Sequence, residues 1–226
     1  MTITLCAFDM AGTTIDDKGR VYDALRDCVT RQGATVADDD LQTWMGTEKR
    51  DAITNLLRLG GVEPTSQVVD AGYADFVELL RTYYRQTPPV ALPGVEQAFT
   101  ILRRNAIKVA LTTGFSREVA GPLLEALGWG VGRQLDAVVC ADEVAAGRPA
   151  PYMVHRALER TGTASMAEVL VAGDTVADVQ AGLRSGAAQS IGVLTGALGS
   201  DQLTAAGATA VLEGVQDVPA HLGLGE

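Results

Sequence analysis

The hydrophobic period switches repeatedly along this chain, and that constrains the fold more than any single motif. Short runs rich in β-formers occur at 2–8 (TITLCAF), 107–112 (IKVALT), 136–140 (DAVVC), 168–172 (EVLVA) and 190–194 (SIGVL), with a weaker run at 209–212 (TAVL). Helical periodicity fills the gaps at 95–105, 116–128, 151–162, 175–185 and 200–206. Strands alternating with helices of this length predict an α/β fold, a parallel sheet with helices on both faces. Functional sites in such sheets lie beyond the carboxyl ends of the strands.

Residues 18–90 break the rhythm. They read as consecutive helices over 21–32, 38–44, 49–59 and 65–86, and VVDAGYADFVELLRTYYRQ has helical spacing with no strand character. Pro88, Pro89 and Pro93 close the stretch. The chain therefore divides into a core, 1–17 with 91–226, and an all-α insert, 18–90, that leaves after the first strand. An insert at that point is expected to act as a cap over the strand ends, with hinges near 17–20 and 87–92.

The totals exclude several classes. The 226 residues carry a formal charge of −10, from 18 basic and 28 acidic residues, so broad nucleic-acid binding is not expected. A small anionic substrate is compatible, because one metal ion and a few local donors override the global field. Cys6, Cys28 and Cys140 form no CxxC pair, and Cys6 and Cys140 sit in apolar runs, which reads as reduced thiols of a cytoplasmic protein. The start of the sequence has no basic segment of a signal peptide, and no apolar run reaches the roughly 18 residues of a membrane span, so neither export nor a membrane partner is expected.

Chemistry gathers at the predicted strand ends. Asp9 ends the first run, in FDMAGTT, and Asp174 and Asp178 follow the run at 168–172, in GDTVAD. Were the two strands neighbours, their carboxylates would converge. Clustered carboxylates repel one another unless a cation sits among them, and a few carboxylate oxygens suit Mg²⁺. The alternative is that Asp174 caps a helix starting near Thr175. In LTTGFSRE, the Thr113 hydroxyl and the backbone N–H of Gly114 suit an oxyanion or phosphate, or else they are turn residues before a Ser116 cap. In AGRPAPYM, Arg148 is placed to pair with a phosphoryl oxygen or with Asp9, or to lie on the surface.

FDxxGT, a strand ending in Thr-Thr-Gly, a basic residue before Pro-x-Pro, and GDxxxD, in that order, resemble the haloacid dehalogenase superfamily. The resemblance covers the whole chain. It implies a Rossmann-like core with a helical cap, and Asp9 as a nucleophile forming an aspartyl-phosphate. It further implies Mg²⁺ held by Asp9, the Ala11 carbonyl and Asp174, with Asp178 supporting that site, and the phosphoryl group bound by Thr113 and Gly114. Arg148 stands where a lysine is usual.

Ala11 narrows the reading. Phosphatases of this superfamily usually carry a second aspartate there, to protonate a strongly basic alkoxide as it departs. An alanine cannot do so. A carbon leaving group has no such need: a C–P bond can break if its electrons flow into an iminium formed between a lysine and a neighbouring aldehyde. WMGTEKRDAI, residues 44–53, places Lys49 at a glycine turn opening a helix. This and DxAGTT resemble the phosphonoacetaldehyde hydrolase family, whose cap lysine lies in MGxxKxD. The resemblance implies a Schiff base at Lys49, with Met45 and Gly46 beside the substrate, and a homodimer through cap helices, for which the helix over 65–86 is the candidate. Ala52 stands where that family has a histidine, and Phe115 where it has a tyrosine. Lys49 read alone is an exposed helix-start lysine. The expected activity is hydrolysis of phosphonoacetaldehyde or a related carbonyl phosphonate. The alternatives are a phosphatase acting on a small phosphate ester, and a non-catalytic protein that binds a phosphorylated metabolite.

Overall fold

The computed structural model describes residues 2–225. The elements follow in order: β1 (Leu5–Phe8), β2 (Ile15–Asp16), α1 (Arg20–Arg31), α2 (Asp38–Thr43), α3 (Lys49–Leu59), α4 (Ser66–Gln86), β3 (Val90–Ala91), α5 (Val95–Arg104), β4 (Lys108–Thr113), α6 (Arg117–Ala126), β5 (Ala137–Cys140), α7 (Tyr152–Thr161), β6 (Val169–Gly173), α8 (Val176–Ser185), β7 (Gln189–Val193), α9 (Ser200–Ala205), β8 (Ala210–Leu212) and α10 (Val218–His221). They form two compact units: a core, made of the segments up to Asp16 and from Val90 onward, and an insert, Asp17–Pro89.

In the core, six strands pair in the order β5-β4-β1-β6-β7-β8, each pair parallel. β1 reads LCAF with every residue buried, the unbroken apolar run of a central parallel strand covered on both faces. It lies between β4 and β6, with Phe8 in register with Leu111 on one side and Ala172 on the other. The chain winds from β1 out to β4 and β5, then returns to β6 and continues to β8. The order therefore reverses beside β1, and a reversal of this kind opens a crevice at the strand ends. Asp9 enters that crevice with its N–H bonded to the Ala172 carbonyl at 3.0 Å.

Aromatic packing fixes the end of β1. The Phe8 ring stacks on Phe99 of α5 at 5.7 Å, and Phe99 meets Trp129 edge-on at 5.4 Å. The Trp129 indole N–H donates to Glu96, which ties the loop after α6 to the start of α5. After Asp9 the chain turns back on itself: the N–H groups of Thr13, Thr14 and Ile15 converge on the Met10 carbonyl, and Gly12 takes φ +88°. The turn leads into β2, which pairs antiparallel with β3, Ile15 opposite Ala91 and Asp16 opposite Val90.

The insert is a helical unit in which α4 packs against α1 and α3. Gly72 lies within α4 because a Cβ there would approach Ile53 of α3 to 3.1 Å. The Asp17 carboxylate accepts from the N–H groups of Gly19 and Val21 and so closes the open start of α1. Phe76, Val77, Leu79 and Leu80 of α4 are buried.

Cys6, Cys28 and Cys140 are free and buried, and burial pushes the thiols of Cys28 and Cys140 up to about 12, so neither is a nucleophile near neutral pH. Among the described residues no helix is long and apolar enough to cross a membrane.

Phe99 is buried between two rings, so Phe99→Ala leaves a cavity under the strand that carries Asp9. It should lower stability by about 3–5 kcal/mol, measured by urea unfolding.

Candidate active site

Three strands of the core deliver the site. β1 ends at Asp9, β4 ends in Thr112-Thr113, and β6 leads to Asp174. Asp9, Asp174 and Asp178 are buried, each offering an oxygen within 4.8 Å of the others. The alternative of Asp174 as a helix cap does not hold. The N-cap of α8 is Thr175, which exchanges bonds with Asp178: the Thr175 N–H donates to Asp178 Oδ2 at 3.1 Å, and the Asp178 N–H donates to Thr175 Oγ1 at 3.2 Å. Asp174 is thereby left to face Asp9.

Arg148 is the cation of the cluster, and it is buried rather than on the surface. Its Nη1 lies 2.6 Å from Asp9 Oδ1 and 2.5 Å from Asp178 Oδ1. Its Nη2 donates to the Thr112 carbonyl at 2.6 Å and to the Thr112 hydroxyl at 3.0 Å. One planar fork thus joins the ends of β1 and β4 to the first turn of α8, a geometry a lysine ammonium cannot reproduce. Burial opposes the guanidinium charge, but Asp178 and Asp9 outweigh it and hold the Arg148 pKa above its ordinary value.

The carboxylates respond to the same forces. Burial, then the charges of Asp9 and Asp178, push Asp174 well above the usual carboxylate range, against a Thr13 hydroxyl that donates to its Oδ1 at 2.7 Å. Burial also raises Asp178, to about 6, with Arg148 and Thr175 pulling the other way and Asp9 adding to the rise. Crowded, buried carboxylates of this kind could hold a metal ion.

The Thr113 hydroxyl accepts from the Phe115 N–H at 3.1 Å, leaving its proton available to an anionic oxygen. Gly114 follows at the mouth of that turn, and Ser116 is the N-cap of α6 without a side-chain cap bond. Ala11 lies two residues beyond Asp9 and carries no acid.

Met45, Gly46 and Lys49 form their own constellation in the insert. Gly46 takes φ +74° in the turn before α3, and Met45 is buried. Lys49 is the first residue of α3, after Glu48, whose carboxylate caps the helix by accepting from the Asp51 N–H at 2.9 Å. Lys49 is buried, not an exposed helix-start lysine, and its Nζ donates to the Thr47 carbonyl at 3.1 Å. Ala52, on the next turn of α3, is fully buried.

Sequence reasoning missed the threonines that serve these groups. Thr13 holds Asp174, Thr112 holds Arg148, and Thr175 holds Asp178. Each adjoins a motif residue, and the only signal in the sequence was that adjacency.

A family model described as haloacid dehalogenase-like hydrolase matches residues 3–186. The chain belongs to the haloacid dehalogenase-like hydrolases. It is 30% identical over 219 residues to a phosphonoacetaldehyde hydrolase from Bacillus cereus (strain AH187), over 90% of this chain and 79% of that one. It is 30% identical over 196 residues to a bifunctional phosphonoacetaldehyde hydrolase/aminoethylphosphonate transaminase from Clostridioides difficile (strain 630), and there it covers 81% of its own length but spans only 30% of the relative. Among solved structures, a hydrolase from Pseudomonas syringae superposes with a TM-score of 0.87 at 25% identity, over 97% of this chain and 98% of that one. This hydrolase therefore keeps the α/β fold of its family and resembles the phosphonatase-like members.

Arg148→Met would leave Asp9 and Asp178 buried without their shared cation. It should cost about 3–5 kcal/mol in urea unfolding. Arg148→Lys should recover part of that loss, because it keeps the charge but loses the second arm to Thr112.

Proposed function

We propose that this hydrolase acts at phosphorus through Asp9, with Mg²⁺, and that its substrate is phosphonoacetaldehyde or a related small carbonyl phosphonate. The observation that carries the substrate class is Ala11: the position that would protonate an oxygen leaving group has no acid. The names of the Bacillus and Clostridioides relatives point the same way.

The donor set fits a hard divalent cation. Ionised, Asp9, Asp174 and Asp178 carry three negative charges and Arg148 one positive, which leaves the charge of one divalent ion to be supplied. Asp9, Asp174 and the Ala11 carbonyl would hold it, with Asp178 supporting them through Arg148. Bound there, the ion supplies charge stabilisation for the phosphoryl oxygens.

The residues then divide the work. Thr113 and the Gly114 N–H bind phosphoryl oxygens. Lys49 condenses with the substrate aldehyde, losing water, to give a protonated imine. An Asp9 oxygen forms a bond to phosphorus as the C–P bond breaks, and that electron pair moves into the iminium to give an enamine. One water hydrolyses the aspartyl-phosphate to phosphate, the enamine carbon takes a proton from solvent, and a second water hydrolyses the resulting iminium to acetaldehyde, which returns Lys49 to its free amine. Arg148 holds Asp9 Oδ1, which orients the nucleophile. With Ala52 at the position where the related family has its histidine, Glu48 before α3 and Asp51 in its first turn are the carboxylates nearest Lys49 in sequence.

A phosphatase acting on a small ester whose leaving group needs no protein acid is the second reading, favoured by Ala52, which offers no proton shuttle beside Lys49.

Incubation with phosphonoacetaldehyde, Mg²⁺ and borohydride, followed by peptide mass spectrometry, should yield a reduced adduct on Lys49 together with phosphate release. Asp9→Asn should lower turnover by at least about 10³-fold, and Lys49→Ala should abolish the adduct. An unmodified Lys49, with Asp9-dependent phosphate release from esters alone, would select the phosphatase.

A further inference from the structure

Asp174 is held by parts of the chain far from its own motif. Thr13 takes one oxygen, Oδ1. The other, Oδ2, lies against two glycines. A Cβ on Gly12 would stand 2.5 Å from Oδ2, and a Cβ on Gly196 would stand 2.0 Å from Oδ2 and 2.6 Å from Asp174 Cβ and Cγ. No side chain fits at either position while Asp174 stays where it is. Gly196 belongs to the loop after β7, in LTGALG, a stretch that carries no motif. Beside it, Thr195 Oγ1 donates to the Gly12 carbonyl at 2.6 Å.

These contacts act together. Asp9 and Asp178 repel the Asp174 carboxylate, and burial gives that charge no water to turn toward. Left to itself, the side chain would swing away from its neighbours. The Gly196 backbone closes the space on one side, and Gly12 closes another. The Thr195 hydroxyl fixes the peptide between Gly12 and Thr13, and hence the hydroxyl that binds Asp174 Oδ1.

We propose that Thr195 and Gly196 are positioning residues of the active site, which hold the Asp174 carboxylate in the orientation that receives the divalent cation. This rests on the reading of Asp174 as a cation ligand. Neither residue touches the reacting atoms; each acts through Asp174 or through Gly12.

The test is calorimetric titration of the full chain with Mg²⁺ alone, alongside thermal melts without Mg²⁺. Thr195→Val should weaken Mg²⁺ binding about tenfold, the scale of one lost hydrogen bond. Thr195→Ser keeps the hydroxyl and should stay within about twofold of the unaltered protein. Gly196→Ala should weaken binding at least as much as Thr195→Val. Thr195→Val binding Mg²⁺ as tightly as the unaltered protein would overturn the proposal, and so would Thr195→Ser losing as much as Thr195→Val. Should Gly196→Ala fail to fold, the two Thr195 variants decide alone. Asp174→Asn separates the two levels: if it binds Mg²⁺ as well as the unaltered protein, the reading of Asp174 falls and the proposal falls with it.

Discussion

The site depends on one buried guanidinium. Three carboxylates gathered in a space from which water is excluded would force themselves apart or take up protons. Arg148 opposes this by sharing a single nitrogen between Asp9 and Asp178 while its other arm grips the backbone of β4, although burial still holds Asp174 well above the usual carboxylate range. The contact is electrostatic, but its effect is architectural. It ties Asp9 after the central strand, Asp178 in the first turn of α8 and the end of the adjacent strand to one side chain. Threonines complete the arrangement, each spending its hydroxyl on a charged group or on a carbonyl that orients one.

Much of this was legible in the sequence because the family's signals sit where the physics is local. An apolar run ending at an aspartate marks a strand that stops at a site, and the alternation of periods located β4 to β8 within a residue or two of where they lie. Other features left no local trace. The run at 2–8 predicts a longer strand than Leu5–Phe8, because apolar character continues where the ladder to β4 and β6 does not. β2 and β3 are two residues each, too short to show any period. The bond between Arg148 and Asp178 joins residues 30 apart, and Thr195 reaches Gly12 across 183 positions. Contacts of that kind belong to the folded chain alone. The adjacent Asp174 and Thr175 show the limit most clearly: either could cap α8, and only the geometry assigns the cap to Thr175.

Ala11 and Lys49 raise a different kind of question, since each matters for what chemistry it permits. Under the proposed chemistry, an alanine two residues after Asp9 would leave an oxygen leaving group without an acid, and the buried lysine that opens α3 would stabilise the electrons of a breaking bond as an iminium.

The pairing of β2 with β3 has a consequence for how such a chain can change. Asp16 and Val90 face one another across two antiparallel strands, so both ends of the 73-residue insert emerge from the core side by side. A segment whose two ends are neighbours can be exchanged for another, or shortened to a tight hairpin, without moving any strand of the sheet or any charge in its crevice. The insert is thereby separable, as a cassette, from the sheet that carries the carboxylate cluster.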